Sequence, residues 1–137
     1  MLRIGRAIVM SGLLLATYYS SPAHLRESSR EPSLVSIVRL LATPEVFDGK
    51  LVRVAGYCHL QFEGDALYLH REDYVFRLPI NAVRLDLGDR SRDTFQGTTG
   101  HYALVEGTFL KADPRDPRPY GGVVRVQSIE VLPPRVP

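Results

Sequence analysis

The sequence predicts a mainly β fold: a five-stranded barrel preceded by a short N-terminal helix. Three observations carry that reading. Five runs between Leu51 and Leu132 alternate apolar with polar residues, the period of a half-buried strand. The first run is long and holds Gly56 at its middle, and a glycine there marks the bend that a strand shared by both halves of a small barrel requires. Ahead of it, Leu34, Val35, Ile37, Val38, Leu40 and Leu41 recur at helical spacing and stop before Pro44, which terminates or kinks a helix.

The first segment stands apart from that fold. Residues 1–23 read as an export signal. Arg3 and Arg6 form a basic start, the run from Ala7 to Ala16 is apolar apart from Ser11 and Gly12, and Ser21 and Ala23 occupy the small-residue positions before a cut at His24. The apolar run is about ten residues, half of the roughly 20 that a spanning helix needs, so cleavage is expected over a permanent anchor. The competing reading is an amphipathic or buried helix. Residues 24–33 (HLRESSREPS) are polar and aperiodic and read as a linker. The barrel domain then covers residues 34–132, and residues 133–137 form an exposed tail begun by Pro133-Pro134.

Each element follows in order. Ser33 is placed to cap the helix, and Phe47-Asp48-Gly49-Lys50 is a turn. The strands are expected at about Leu51–Phe62, Ala66–His70, Asn81–Leu87, Tyr102–Leu110 and Val123–Leu132. Glu63-Gly64-Asp65 joins the first two as a hairpin-type turn. In the last strand the alternation slips between Val124/Val126 and Ile129/Val131, which predicts a bulge near Gln127–Ser128. Residues 88–100 form a polar, glycine-bounded connection. Ala112–Gly122 is a proline-dense loop that re-enters the sheet through Gly121-Gly122.

Composition narrows the function classes. A chain of 137 residues that is 45% hydrophobic and 23% charged is one globular domain, not a disordered or multi-pass membrane protein. Its 17 Lys and Arg outnumber 15 Asp and Glu, but Arg3 and Arg6 leave with the signal and the processed chain is neutral. Nucleic-acid binding rests on a basic surface, so that partner is disfavoured. A single Cys58 rules out an internal disulfide or a Cys-cluster zinc site; it falls on the inward set of the first strand and reads as a small buried hydrophobe.

Five strands in this order, the first long and bent, are the pattern of an OB-type barrel. The residues also resemble a group of small exported bacterial OB-fold proteins of unassigned function. The resemblance is carried by Ser36–Gly56 (SIVRLLATPEVFDGKLVRVAG), a short helix that ends in a Pro-x-x-aromatic-Asp-Gly-Lys turn and feeds the first strand. Ala66–Tyr74 (ALYLHREDY) and Val105–Phe109 (VEGTF) are similar to that group's middle and fourth strands. The resemblance implies the fold and a periplasmic or secreted location in a bacterium, and it implies no particular activity. One departure is the short polar third-to-fourth connection, where a helix ordinarily closes the barrel; the N-terminal helix is expected to take that role.

Two groups of residues are candidate sites. The cluster His70-Arg71-Glu72-Asp73-Tyr74 follows the second strand and reads as a ligand clamp or a metal site, with His59, His70, Glu72 and Asp73 as donors, or as a solvated loop in which Asp73 caps a turn. Outward positions Tyr57, His59, Tyr68, His70 and Arg84 would form one aromatic and cationic face, where OB-type ligands lie across the second and third strands. The competing reading is ordinary cross-strand pairing. The candidate ligand-binding residues are therefore Tyr57, His59, Tyr68, His70, Glu72, Asp73, Tyr74 and Arg84. No metal-ligand spacing, nucleophile elbow or phosphate loop occurs, so no metal, no cofactor and no catalysis are expected. The sequence thus predicts an exported, non-catalytic binding module for a protein partner or small ligand; the alternative is an intracellular nucleic-acid-binding OB domain that keeps residues 1–23.

Overall fold

In the computed structural model, which describes residues 31–62 and 64–135, the fold begins with a strand rather than a helix. This strand, β1 (Ser33–Ser36), pairs in parallel with the first half of β2 (Leu51–His59), from Ser33 opposite Val52 to Ser36 opposite Ala55. Sequence reading placed Leu34 and Val35 in the helix. Two adjacent apolar residues fit either period, and here Val35 is buried while Leu34 faces out. Ser33 is accordingly in a strand, and the helix cap falls to Ser36. Its hydroxyl accepts the Arg39 N–H at 3.2 Å and starts α1 (Ile37–Ala42). Pro44 then opens α2 (Pro44–Phe47) as its first residue, where a missing N–H costs nothing.

Four further strands follow: β3 (Ala66–Tyr68), β4 (Ala82–Asp86), β5 (His101–Lys111) and β6 (Gly122–Val131). The barrel runs β2-β3-β4-β6-β5 and closes through β2–β5, with β4 and β6 parallel and its other pairs antiparallel. This is the closed five-stranded, OB-type barrel expected, with β1 added on one edge of β2.

Gly56 sits where that edge changes partner. Below it β2 pairs with β1, and above it Tyr57 to His59 pair with β3. A Cβ at Gly56 would lie 2.5 Å from the Tyr68 carbonyl oxygen and 2.7 Å from Ile37 Cδ1, so only glycine lets three segments converge. The slip in β6 is also present. Glu106 faces Ser128 and Gly107 faces Val126, which leaves Gln127 unpaired. Arg90 resolves the irregularity, its guanidinium donating to the Gln127 carbonyl at 2.8 Å and to that of Val126.

Inward residues form one core, from Val52, Val54 and Cys58 of β2 to Phe109 of β5 and Val124 of β6. Ile37, Leu40 and Phe47 join it from the two N-terminal helices. Two positions differ from the sequence reading. The first strand ends at His59, and Phe62 lies beyond it, 82% exposed, beside the Arg92 guanidinium. The connection of residues 88–100 is not wholly polar. It folds a 3-10 turn, Arg92–Phe95, that buries Phe95 in the core under Arg90 and seats Thr98 against Cys58. Closure of the barrel is thus shared between the N-terminal helices and this turn.

No helix among the described residues is long and apolar enough to cross a membrane. The proposed signal at residues 1–23 and most of the proposed linker lie outside the described residues.

Candidate functional site

The register places the outward residues of β2, β3 and β4 on one face, as expected. Tyr57 lies opposite Tyr68, which lies opposite Ala82; His59 lies opposite Ala66, which lies opposite Arg84. The centre of the face is covered. Tyr57 and Tyr68 are buried with Ala66 and Ala82 in a second, smaller cluster, covered by Tyr74 and Tyr120.

Tyr74 is the centre of that cover. It belongs to α3 (Arg71–Val75), the helix that follows β3. Its ring stacks on His59 with centroids 3.9 Å apart and meets Tyr68 edge-on at 5.6 Å and Tyr57 at 5.9 Å. Tyr102 of β5 extends the group, 5.7 Å from Tyr57, and its hydroxyl accepts the Arg71 N–H at the start of α3. Burial, followed by the neighbouring Tyr120 and Tyr74 phenols, pushes the Tyr68 hydroxyl up to about 12.

Asp73 holds α3 in place. Its carboxylate accepts the His70 N–H at 2.9 Å, one half of a capping box, and the Asn81 side-chain amide at 2.7 Å. It is buried, whereas His70 and Glu72 on either side are exposed. The cluster at 70–74 therefore divides: Asp73 and Tyr74 face the barrel and His70 and Glu72 face solvent. After α3 the chain turns through Arg77 at φ 54°, with the Leu78 N–H donating to the Asp73 carbonyl at 2.8 Å. His59 Nε2 lies 3.0 Å from Gln61 Oε1, and its Nδ1 is enclosed without a partner.

Two grooves flank Tyr120. One, of about 640 Å³, lies between α3 and the sheet and is lined by Gln61, Tyr68, Tyr74, Arg77 and Pro79. The other, of about 630 Å³, lies between β4 and the 112–121 loop and is lined by Arg84, Lys111, Arg115, Arg118 and Val123 among others. Arg84 thus lines the second groove, and a further depression with Asp65, Asp86 and Asp93, rather than the tyrosine cluster. The rim beside the first groove is apolar: Val75, Phe76 and Ile80 are all more than half exposed.

The loop that walls the second groove was read from sequence as proline-stiffened, and its repeat was missed. Asp113-Pro114-Arg115 and Asp116-Pro117-Arg118 are the same triplet twice. Each Asp accepts its own Arg's backbone N–H and chelates that guanidinium at 2.8 to 3.0 Å. The Arg118 side chain, then its N–H, holds the Asp116 carboxyl down at about 2. Tyr120, which divides the grooves, was also missed; an aromatic directly after a proline-rich run and before Gly-Gly was its signal.

Among the described residues, no three of His, Cys, Asp and Glu gather as metal ligands. Cys58 is enclosed, and burial pushes its thiol up to about 11, so it is a poor nucleophile near neutrality.

No family model matches the chain, and no curated protein matches it. Among solved structures it is similar to a chain assigned as an aspartyl-tRNA synthetase of Leishmania major Friedlin, at 15% identity and a TM-score of 0.45. The match covers 81% of this chain and 22% of that one, so this chain spans about a fifth of that protein's length.

Proposed function

We propose that this chain is an exported, non-catalytic binding module of OB type that takes a protein partner or small ligand on the outer face of β2, β3 and β4. One observation carries the reading: that face bears two grooves, one aromatic and one cationic, divided by Tyr120. Their volumes fall in the range of small-molecule and side-chain pockets. The apolar rim of Val75, Phe76 and Ile80 supports a protein partner, since such residues grouped at a groove edge favour association.

The remainder of the proposal rests on the sequence. The basic start and short apolar run of residues 1–23 support export, and the resemblance to small exported bacterial OB-fold proteins agrees with it. The absence of a nucleophile, base and orienting group in one motif supports binding over catalysis.

The test is photocrosslinking in the native host. A photoreactive residue replaces Arg77 beside the aromatic groove, or Glu130 on the exposed part of β6 as a control. A discrete adduct from position 77, and none from 130, on a chain whose mass starts near His24, is the expected result. An adduct only from 130, or a full-length chain bound to oligonucleotides, would overturn the reading.

A further inference from the structure

The second groove carries an asymmetry of charge that narrows the chemistry of its occupant. Four cations line it, Arg84, Lys111, Arg115 and Arg118, against two carboxylates, Asp113 and Asp116. The carboxylates are chelated by Arg115 and Arg118 within the paired triplets, and the Arg84 charge also acts on Asp116 from beyond ion-pair distance. Neither Arg84 nor Lys111 has a carboxylate within ion-pair distance among the described residues.

Both residues are fixed in the sheet at the backbone. Arg84 projects from the centre of β4, between Ala66 of β3 and Val123 of β6. Its Nε is enclosed and has no acceptor. An incoming carboxylate would therefore meet the terminal nitrogens of Arg84, which are not enclosed, rather than its Nε. Lys111 ends β5, and its backbone N–H donates to the Asp48 carboxylate at 2.9 Å. Between them the groove offers Leu110, Val123 and the Tyr120 ring as an apolar floor and side.

We infer that this groove receives an acidic side chain of a partner protein, with Arg84 and Lys111 on the carboxylate and an apolar neighbour of that side chain against Tyr120 and Val123. This inference rests on the outer face being the binding face. A planar guanidinium favours a carboxylate through paired N–H donors, and Lys111 adds a point charge. A peptide fits better than a nucleic-acid strand. A strand needs a positive track along its length, whereas the free cations here are two, confined to one groove and bordered by Asp113 and Asp116.

The test uses the full chain labelled with nitrogen-15, titrated at low salt with acetyl-(Glu-Leu)3-amide, acetyl-(Gln-Leu)3-amide and a twelve-nucleotide oligothymidylate. The expected result is a saturable shift of the Arg84 Nε–Hε signal and the Lys111 amide with the Glu peptide alone. Arg84→Gln and Lys111→Gln should each weaken that binding by about tenfold, the size of one charge-assisted hydrogen bond. Lys111 is exposed, so its variant reads the site even where Arg84→Gln disturbs the barrel. No shift with the Glu peptide, equal shifts with the Gln peptide, or tighter binding of the oligonucleotide would each overturn the inference. A partner adduct from position 77 in the host beside a silent Arg84 signal would remove this inference and leave the binding face standing.

Discussion

The carboxylate of Asp73 accepts the side-chain amide of Asn81 at 2.7 Å, across the turn that joins α3 to β4. The same carboxylate holds the His70 N–H, so one buried residue fixes both ends of the segment that carries Tyr74. Asp73→Ala should therefore act on the fold. Losing a helix-start acceptor and stranding the Asn81 amide costs about 2 kcal/mol. The melting temperature should drop, and the Tyr74 ring signals should lose their contacts to His59. His70→Ala and Glu72→Ala, both exposed, should leave the melt unchanged. Equal stability in all three variants would remove the anchoring role of Asp73.

Alkaline pH should lower the protein's stability over two overlapping ranges. The Cys58 thiol is raised from an ordinary 9.0 to about 11 and the Tyr68 phenol from 10.0 to about 12, in both by burial first. Both acids stay protonated in the fold at a pH where the unfolded chain has already released the proton. Their contributions are therefore complete below about pH 9 and are lost as pH climbs through 11 and 12. Denaturant melts from pH 8 to 12 should show this decline. Cys58→Ala should flatten its lower part, and Tyr74→Ala, by uncovering Tyr68, should move the phenol's absorbance titration back toward 10. A flat profile up to pH 12 would contradict the burial of both groups.

Much of the barrel was legible because strand alternation is a direct image of burial. Val52, Val54 and Cys58 point inward in the order the pattern gives, and the slip before Ile129 marks the unpaired Gln127. What escaped had no periodic signature. Leu34-Val35 is too short to separate a strand from the first turn of a helix. Phe95 is one aromatic in a polar connection, and its burial depends on Arg90 and the bulge it satisfies, a contact 36 residues away in sequence. At the site, register brought Tyr57, His59 and Tyr68 together as read. Their cover was invisible because Tyr120 arrives from a loop with no pattern linking it to β3.

Gly107→Ala should be severely destabilising. It lies beside the bulge, and an added Cβ would stand 2.2 Å from the Arg125 carbonyl oxygen and 2.8 Å from Val124 Cγ1. Neither neighbour is a flexible side-chain tip that can swing away. Overpacking at such a position costs about 3 kcal/mol. Arg90→Ala, which frees the Gln127 and Val126 carbonyls without adding atoms, should cost less, about 1 to 2 kcal/mol, because the exposed Gln127 carbonyl recovers water and only the part-buried Val126 carbonyl is left short of a donor. Chemical denaturation of both variants orders the two effects. A Gly107→Ala variant as stable as the parent would mean that β5 and β6 do not pair as described.

Arg77 separates stability from binding in a single substitution. Its φ of 54° lies in the left-handed region, which disfavours any residue with a Cβ and which glycine adopts freely. The conformation is imposed from both sides, by its own N–H on the Tyr74 carbonyl at 3.1 Å and by the Leu78 N–H on the Asp73 carbonyl. Arg77→Gly should therefore raise stability by about 1 kcal/mol, although it deletes a charged side chain. Glycine would be the better residue if that turn had only to end a helix. The guanidinium lines the groove shared by Tyr68, Tyr74 and Tyr120, so the strain is retained where a partner would meet it. Denaturation of Arg77→Gly, read beside its recovery of partner from host extracts, tests both halves. A more stable protein with weakened capture is the expected pair. A less stable one would show that the Arg77 side chain stabilises the fold by more than its backbone costs, and would return the residue to a structural role.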